Sequence, residues 1–303
     1  MIDMRLKLLW FKSCFGNIKS FGRKGCLSVS PRGFVLLLIF SLFISCQKVI
    51  DLDVFNSAPQ LVVEANISNE PGPYFVRLTK TINLNDLTTI PPVLGAEVEI
   101  ADSTGTHETL TELSQGNYIT KFLEGKPGHK YTLTIRSEGQ VYKAVSEMPD
   151  PVTDFTVGIK REANSLSENP QNSGGDGYHY RISYEIKDPA DYTNYYRLVV
   201  IHKSAEISSR RVFDDQFHNG KLIADDFVLN DTIRYTPGDI IEIDLQNIDK
   251  NIYNFFRTLR EGAGSLSFLS ASPSNPLSNI SNNGLGYFSA CSVVRKFVTI
   301  PHQ

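Results

Sequence analysis

Tyr178–Lys187 reads YHYRISYEIK, and its parity decides the fold class. Tyr178, Tyr180, Ile182, Tyr184 and Ile186 alternate with His179, Arg181, Ser183 and Glu185. A period of two with apolar residues on one side is the pattern of a strand that buries one face. Asp188-Pro189 ends the run, and YYRLVVIH at 195–202 is a second strong strand, expected to pair with the first as a hairpin. Weaker strands at 210–213 and 223–229 flank the acidic turn 214–220, and Pro237-Gly238 leads into IIEIDL at 240–245. The period then changes. Ile248, Ile252, Phe255, Phe256 and Leu259 recur at helical spacing, so a helix is expected over about 249–261, with Gly262 placed to stop it. The tail at 286–300 returns to strand.

Upstream, residues 60–149 are β throughout. LVVEANI (61–67) and YFVRLTKTI (74–82) are separated by Pro71-Gly72-Pro73, and strands follow at 93–100, 108–113, 118–122, 130–136 and 141–145, spaced by turn residues. Many short strands at such spacing point to a β-sandwich. Tyr131 opens a late strand just after Pro127-Gly128, where immunoglobulin-like domains carry their tyrosine corner. The proline-bearing joint MPDPVTD at 148–154 marks a boundary, and 163–177, poor in apolar residues, is expected to be a mobile loop. The expected fold class is all-β. An immunoglobulin-like sandwich at 58–150 precedes a larger β-sandwich or barrel-like domain at 151–303 with one α-helix.

A different signal governs the beginning of the chain. Residues 33–46, GFVLLLIFSLFISC, follow Arg32, Arg23 and Lys24 and end on Ser45 before Cys46. A positive flank, a short apolar run and a small residue at the cut form an export signal, and the run is too short to span a bilayer. Residues 1–45 are therefore read as a signal peptide, of which 1–26 look like an extension upstream of the true start. Cys46 is the candidate lipidation site, as in a bacterial lipobox, with Phe43 standing where that motif prefers Leu. Residues 46–57 then form a tether.

Removing 1–45 takes away 7 of the 30 Lys/Arg and 1 of the 33 Asp/Glu, so the remaining 258 residues carry a formal charge of −9. Such a balance repels nucleic acid, and no basic patch offsets it. Beyond Cys46 only Cys291 remains, so no internal disulfide is available; within a strand-like run it reads as a small buried hydrophobe.

The order of short motifs is distinctive. Cys46 and Ile50-Asp51-Leu52 precede LVVEANI, Gly95–Ile100 with Asp102 and Gly105, Gly116-Asn117-Tyr118, and residues 131–135. Asp188-Pro189, Asn194-Tyr195-Tyr196, 214–220, Gly238-Asp239, 253–256, Asn279-Ile280 and 284–288 follow. This series resembles a Bacteroidota outer-membrane lipoprotein family, domain of unknown function 4249, across nearly all of 46–300. The resemblance implies a lipid anchor in the outer membrane. Because members are encoded beside TonB-dependent receptors, it also implies an accessory role at such a transporter. It brings no catalytic, cofactor or metal residues with it.

Three groups of residues carry candidate chemistry. Asp214-Asp215 and Asp225-Asp226 are paired acids suited to a divalent cation, but without calcium-loop spacing they read as solvated turn acids. The histidines lack a recognisable nucleophile elbow, the nearest approach being Gly262-Ala263-Gly264-Ser265. The aromatics of the second half pack in a core by default, as alternate strand positions do; Tyr192, Tyr195 and Tyr196, beside the 191–194 turn, are the candidate exposed binding surface for sugar stacking or protein docking. The reading is thus a lipid-anchored binding or accessory protein without cofactor, partnered with a TonB-dependent receptor. An envelope hydrolase and a structural or adhesive surface lipoprotein are the alternatives.

Overall fold

The computed structural model describes residues 58–82, 89–163, 178–230, 232–263 and 275–302. The export signal, Cys46, the tether to residue 57 and most of the 163–177 loop lie outside the described residues. The strands are β1 (Leu61–Ser68), β2 (Phe75–Lys80), β3 (Glu97–Asp102), β4 (His107–Thr109), β5 (Thr111–Ser114), β6 (Asn117–Ile119), β7 (Lys130–Ser137) and β8 (Gln140–Glu147). Past the joint come β9 (Phe155–Ala163), β10 (Tyr178–Lys187), β11 (Tyr195–His202), β12 (Ala205–Asp214), β13 (Leu222–Val228) and β14 (Ile240–Ile248). The helix α1 (Lys250–Ala263) and β15 (Leu285–Thr299) complete the order. The fold is all-β and sandwich-like, with one helix among the described residues.

One eight-stranded sheet, ordered β12-β11-β14-β15-β1-β2-β6-β5, forms the spine, and two smaller sheets accompany it: β4-β3-β7-β8 and β13-β10-β9. Val63, Ala65 and Ile67 of β1 share the first core with Val98 and Ile100 of β3 and with Tyr131, Leu133 and Ile135 of β7. Tyr196, Leu198 and Val200 of β11 share the second with Tyr180, Ile182, Tyr184 and Ile186 of β10. Each fully buried aliphatic side chain contributes on the order of 1.5–3 kcal/mol. These two cores therefore hold the three sheets together.

β15 belongs to both cores. Phe288 and Ala290 pack in the first, while Val298 packs in the second. It pairs in parallel with β1, from Val62↔Leu285 to Ser68↔Cys291, and antiparallel with β14. The joint at 148–154 divides the chain between the cores, since Met148 packs in the first and Val152 in the second. It does not divide the spine sheet, because the C-terminal strand returns to the first half. Gly286 permits that return. It has φ +86°, and a Cβ there would stand 1.9 Å from the Val63 carbonyl oxygen.

The hairpin expected between β10 and β11 is not formed. β10 pairs with β9 and β13, whereas β11 pairs with β12 and β14. Their tyrosine-bearing faces meet across the second core, so residues 188–194 step from one layer to the other. The expected strand at 108–113 is likewise two strands: β4 joins the four-stranded sheet and β5 the spine, with buried Leu110 between them.

Tyr131 has the geometry of a tyrosine corner: it is fully buried, and its hydroxyl accepts the Lys126 N–H at 2.6 Å. The helix begins at Asp249, whose Oδ1 accepts the Asn251 and Ile252 N–H groups at 2.8 and 3.1 Å. Gly262 does not stop it but lies in its last turn. Ile252, Phe255 and Phe256 cover the outer face of the spine over Val212, Ile248, Cys291 and Val293. With α1 on one side and the second core on the other, β11 is buried on both faces, which is why YYRLVVIH does not alternate cleanly.

Candidate functional site

Tyr192, Tyr195 and Tyr196 part company in the structure. Tyr192 is 44% exposed, and Tyr195 is half-buried, its ring 5.0 Å from that of Tyr253. Tyr196 is fully buried in the second core, where its hydroxyl donates to Asp188, so it is no part of an exposed surface. Adjacent residues of a strand point to opposite faces, and β11 begins at Tyr195; the two rings cannot share a surface.

Tyr192 and Tyr195 instead line a cavity of about 350 Å³ where the joint, the 192–195 turn and the start of α1 meet. Glu147, Asp150, Asn194, Asn247, Asp249 and Lys250 contribute its polar groups. Several long-range bonds fix these walls. The Asn194 N–H donates to Asp215 Oδ2 at 2.9 Å, and the Asp215 N–H returns a bond to the Asn194 carbonyl at 3.2 Å. The Asn247 amide donates to the Asp150 carbonyl at 2.9 Å, tying β14 to the joint. Asp249 caps α1 with one oxygen, and its other accepts the Ser146 hydroxyl and the Glu147 N–H.

Two groups in this wall are not spent. Asn194 and Asn247 are 3% and 1% exposed, yet the side-chain oxygen of neither has a hydrogen-bond partner among the described residues. Leaving a buried acceptor unpaired costs about 1–3 kcal/mol, and native chains rarely keep such groups without use. Electrostatically the site is acidic. Burial raises the Tyr192 hydroxyl above its ordinary pKa, with the Asp150 carboxylate next in effect; burial and then Asp214 raise that of Tyr195.

A larger cavity, about 440 Å³, lies on the outer face of the spine beside α1 and is lined by Phe255, Phe256, Tyr287, Arg197, Glu64 and Glu206. Its buried cation is already engaged. The Arg197 guanidinium lies 4.1 Å over the Phe256 ring and donates to Gln246 Oε1 at 2.8 Å. The cavity at the joint is therefore the better candidate.

The acids considered for a cation have other duties. Asp215 is 1% exposed and braces Asn194, a correction to the solvated acid expected at that position; burial holds its carboxyl above the usual range. Asp225 accepts from Tyr184 and Arg211, and Asp226 from Arg181. No group of three His, Cys, Asp or Glu suited to a metal occurs among the described residues. His202 is buried against Asp239 at 3.0 Å, and His179 lies 3.2 Å from Glu162. Cys291 is buried, and burial pushes its thiol up to about 12, the behaviour of a packed hydrophobe.

The family described as domain of unknown function (DUF4249) matches residues 47–296. The chain belongs to this family. No curated protein matches it. The match of this DUF4249 chain covers the spine except for the last three residues of β15, and every residue named in the joint cavity. Asn247, Asp249 and Glu147 escaped the sequence reading because strand pairing and the helix cap, not chain proximity, bring them together. Asn194 was within reach, since it stands beside the tyrosines on a turn between two strong strands.

Proposed function

We propose that this DUF4249 protein is a lipid-anchored binding subunit of the bacterial envelope, working beside a TonB-dependent outer-membrane receptor. The observation that carries the binding role is the joint cavity, which Tyr192 and Tyr195 line together with two buried amides whose oxygens lack partners among the described residues. Pockets that bind small molecules combine apolar or aromatic walls with a few placed polar groups in about 300–1,000 Å³, and this one falls in that range. The anchoring role is supported by the apolar run at 33–45 ending at Cys46.

The anchor and the partner are tested together. Cells expressing the tagged full chain are fed a labelled fatty acid, and the chain is purified from the membrane in mild detergent. Label on the parent, its loss in Cys46→Ser, and co-purification of a large outer-membrane barrel are the expected results. An unlabelled parent overturns the anchor. Labelled chain that purifies without a barrel overturns the partnership.

A further inference from the structure

We infer that the joint cavity binds the end of a short neutral oligosaccharide, held by its hydroxyl donors and by stacking on Tyr192 and Tyr195. This ligand class rests on the binding-subunit reading above. The polar side chains of the cavity are weighted toward acceptors: the carboxylates of Glu147 and Asp150 line it, as do Asn194 and Asn247, whose side-chain oxygens are unpaired but closed to solvent in the free chain. Asp249 also lines it, but its oxygens already serve the helix cap, Ser146 and the Glu147 N–H. Lys250 is the one cationic residue in the lining.

This balance selects among ligands. An anion meets three carboxylates and a helix N-terminus whose charge is already answered by Asp249, so it is disfavoured. A purely apolar ligand leaves the amide oxygens unpaired. A calcium or magnesium ion needs six or more oxygens, and no group of three His, Cys, Asp or Glu suited to a metal is assembled among the described residues. A sugar supplies what the wall lacks. Its hydroxyls donate to amide and carboxylate oxygens, while its C–H faces lie on aromatic rings. Tyr195 is held for that task by Tyr253, 5.0 Å away, and Tyr192 stands open at the rim.

The test is saturation-transfer NMR on the detergent-purified full chain with maltotriose, chitotriose, xylotriose and mannotriose as probes. At least one trisaccharide is expected to receive saturation and to show a measurable Kd. Tyr192→Ala is expected to weaken it about tenfold, the loss of one stacked ring. Phe297→Ala, which removes an exposed ring outside the cavity, should leave it unchanged. Tyr192→Leu, at an exposed position, serves as a second variant; a weakened Kd with an unchanged unfolding midpoint separates binding from folding. No transfer to any of the four sugars overturns the inference, as does binding that Tyr192→Ala leaves intact. A barrel that co-purifies with a chain blind to all four sugars removes the ligand class and leaves the subunit reading standing. Sugar binding without a barrel does the reverse.

Discussion

Glu108 and Asn194 are both buried and polar, one in each half of the chain, and they are treated in opposite ways. Glu108 is 3% exposed, and its two carboxylate oxygens accept the N–H groups of Lys121, Phe122 and Leu123, folding the 120–124 segment against the first core. Asn194 is equally buried, but its side-chain oxygen accepts nothing, and Asn247 across the cavity is in the same condition. A polar group spent on the backbone stabilises the fold. A polar group left unpaired at a cavity wall costs stability and is kept for something else. The contrast lies between positions and not between halves, since Asp215 of the second half is spent on a backbone N–H as Glu108 is.

The sharpest way to break that contrast is Glu108→Ala. It leaves three N–H groups without their acceptor, one of them fully buried, and should lower unfolding free energy by about 4 kcal/mol in urea titrations. A loss below about 1 kcal/mol would mean that Glu108 is no more committed than Asn194. Next in size is Gly286→Ala, which forces a side chain into a left-handed conformation against the Val63 carbonyl. A cost of about 2–3 kcal/mol is expected. Because β15 serves both cores, the loss should appear in one cooperative transition; two separated transitions would show that the halves fold independently.

The same contrast explains what could be read from the chain. Parity in YHYRISYEIK marks the side chains of β10 that enter a core, and Tyr180, Ile182, Tyr184 and Ile186 do so, whereas Tyr178 at the strand's start stays 42% exposed. Parity carries no information about the neighbouring strand, so β10 and β11 looked like a hairpin and are facing layers. The β1–β15 pairing joins residues more than 200 positions apart and leaves no local trace. β9, FTVGIKREA, escaped notice because Gly158 and its charged residues blur the alternation. At the site, parity separates Tyr195 from Tyr196, since neighbours in a strand face opposite sides, but it does not tell which of the two faces the core. The unpaired oxygens of Asn194 and Asn247 had no signature at all, since pairing is a property of the assembled wall.

Asp249 stands between the two treatments, because it lines the cavity and is also fully engaged. Asp249→Ala removes the cap of α1 and the acceptor of Ser146, and a loss of about 1–2 kcal/mol is expected from thermal or urea unfolding. Asp239 provides a pH-dependent version of the committed case. The Thr236 N–H, then Lys203 and His202, hold its carboxyl below the usual range. Its folded pKa therefore lies under its unfolded one. Its contribution is present at neutral pH and above the unfolded value near about 4, and is lost as pH falls through the folded value. Urea midpoints measured from pH 6 down to about 3 should fall less steeply for Asp239→Asn than for the parent. Parallel curves would show that this carboxylate adds nothing.

Asn194→Ala should have the smallest effect, and it probes the contrast most directly. The backbone bonds between Asn194 and Asp215 survive the change, because they use main-chain atoms of residue 194. What is removed is a side-chain oxygen that pairs with nothing and an amide group that meets the Tyr192 hydroxyl at the exposed rim, so the expected stability change is within about 1 kcal/mol, roughly a quarter of the Glu108 effect. Urea titration of the two variants side by side measures the ratio. A loss of about 2 kcal/mol in Asn194→Ala would mean that its amide is a structural bond like those of Glu108, and the wall would then have no reserved acceptor at that position. A near-zero cost, with sugar binding weakened, separates the two uses of a buried polar group: the fold tolerates losing this one, and the ligand does not.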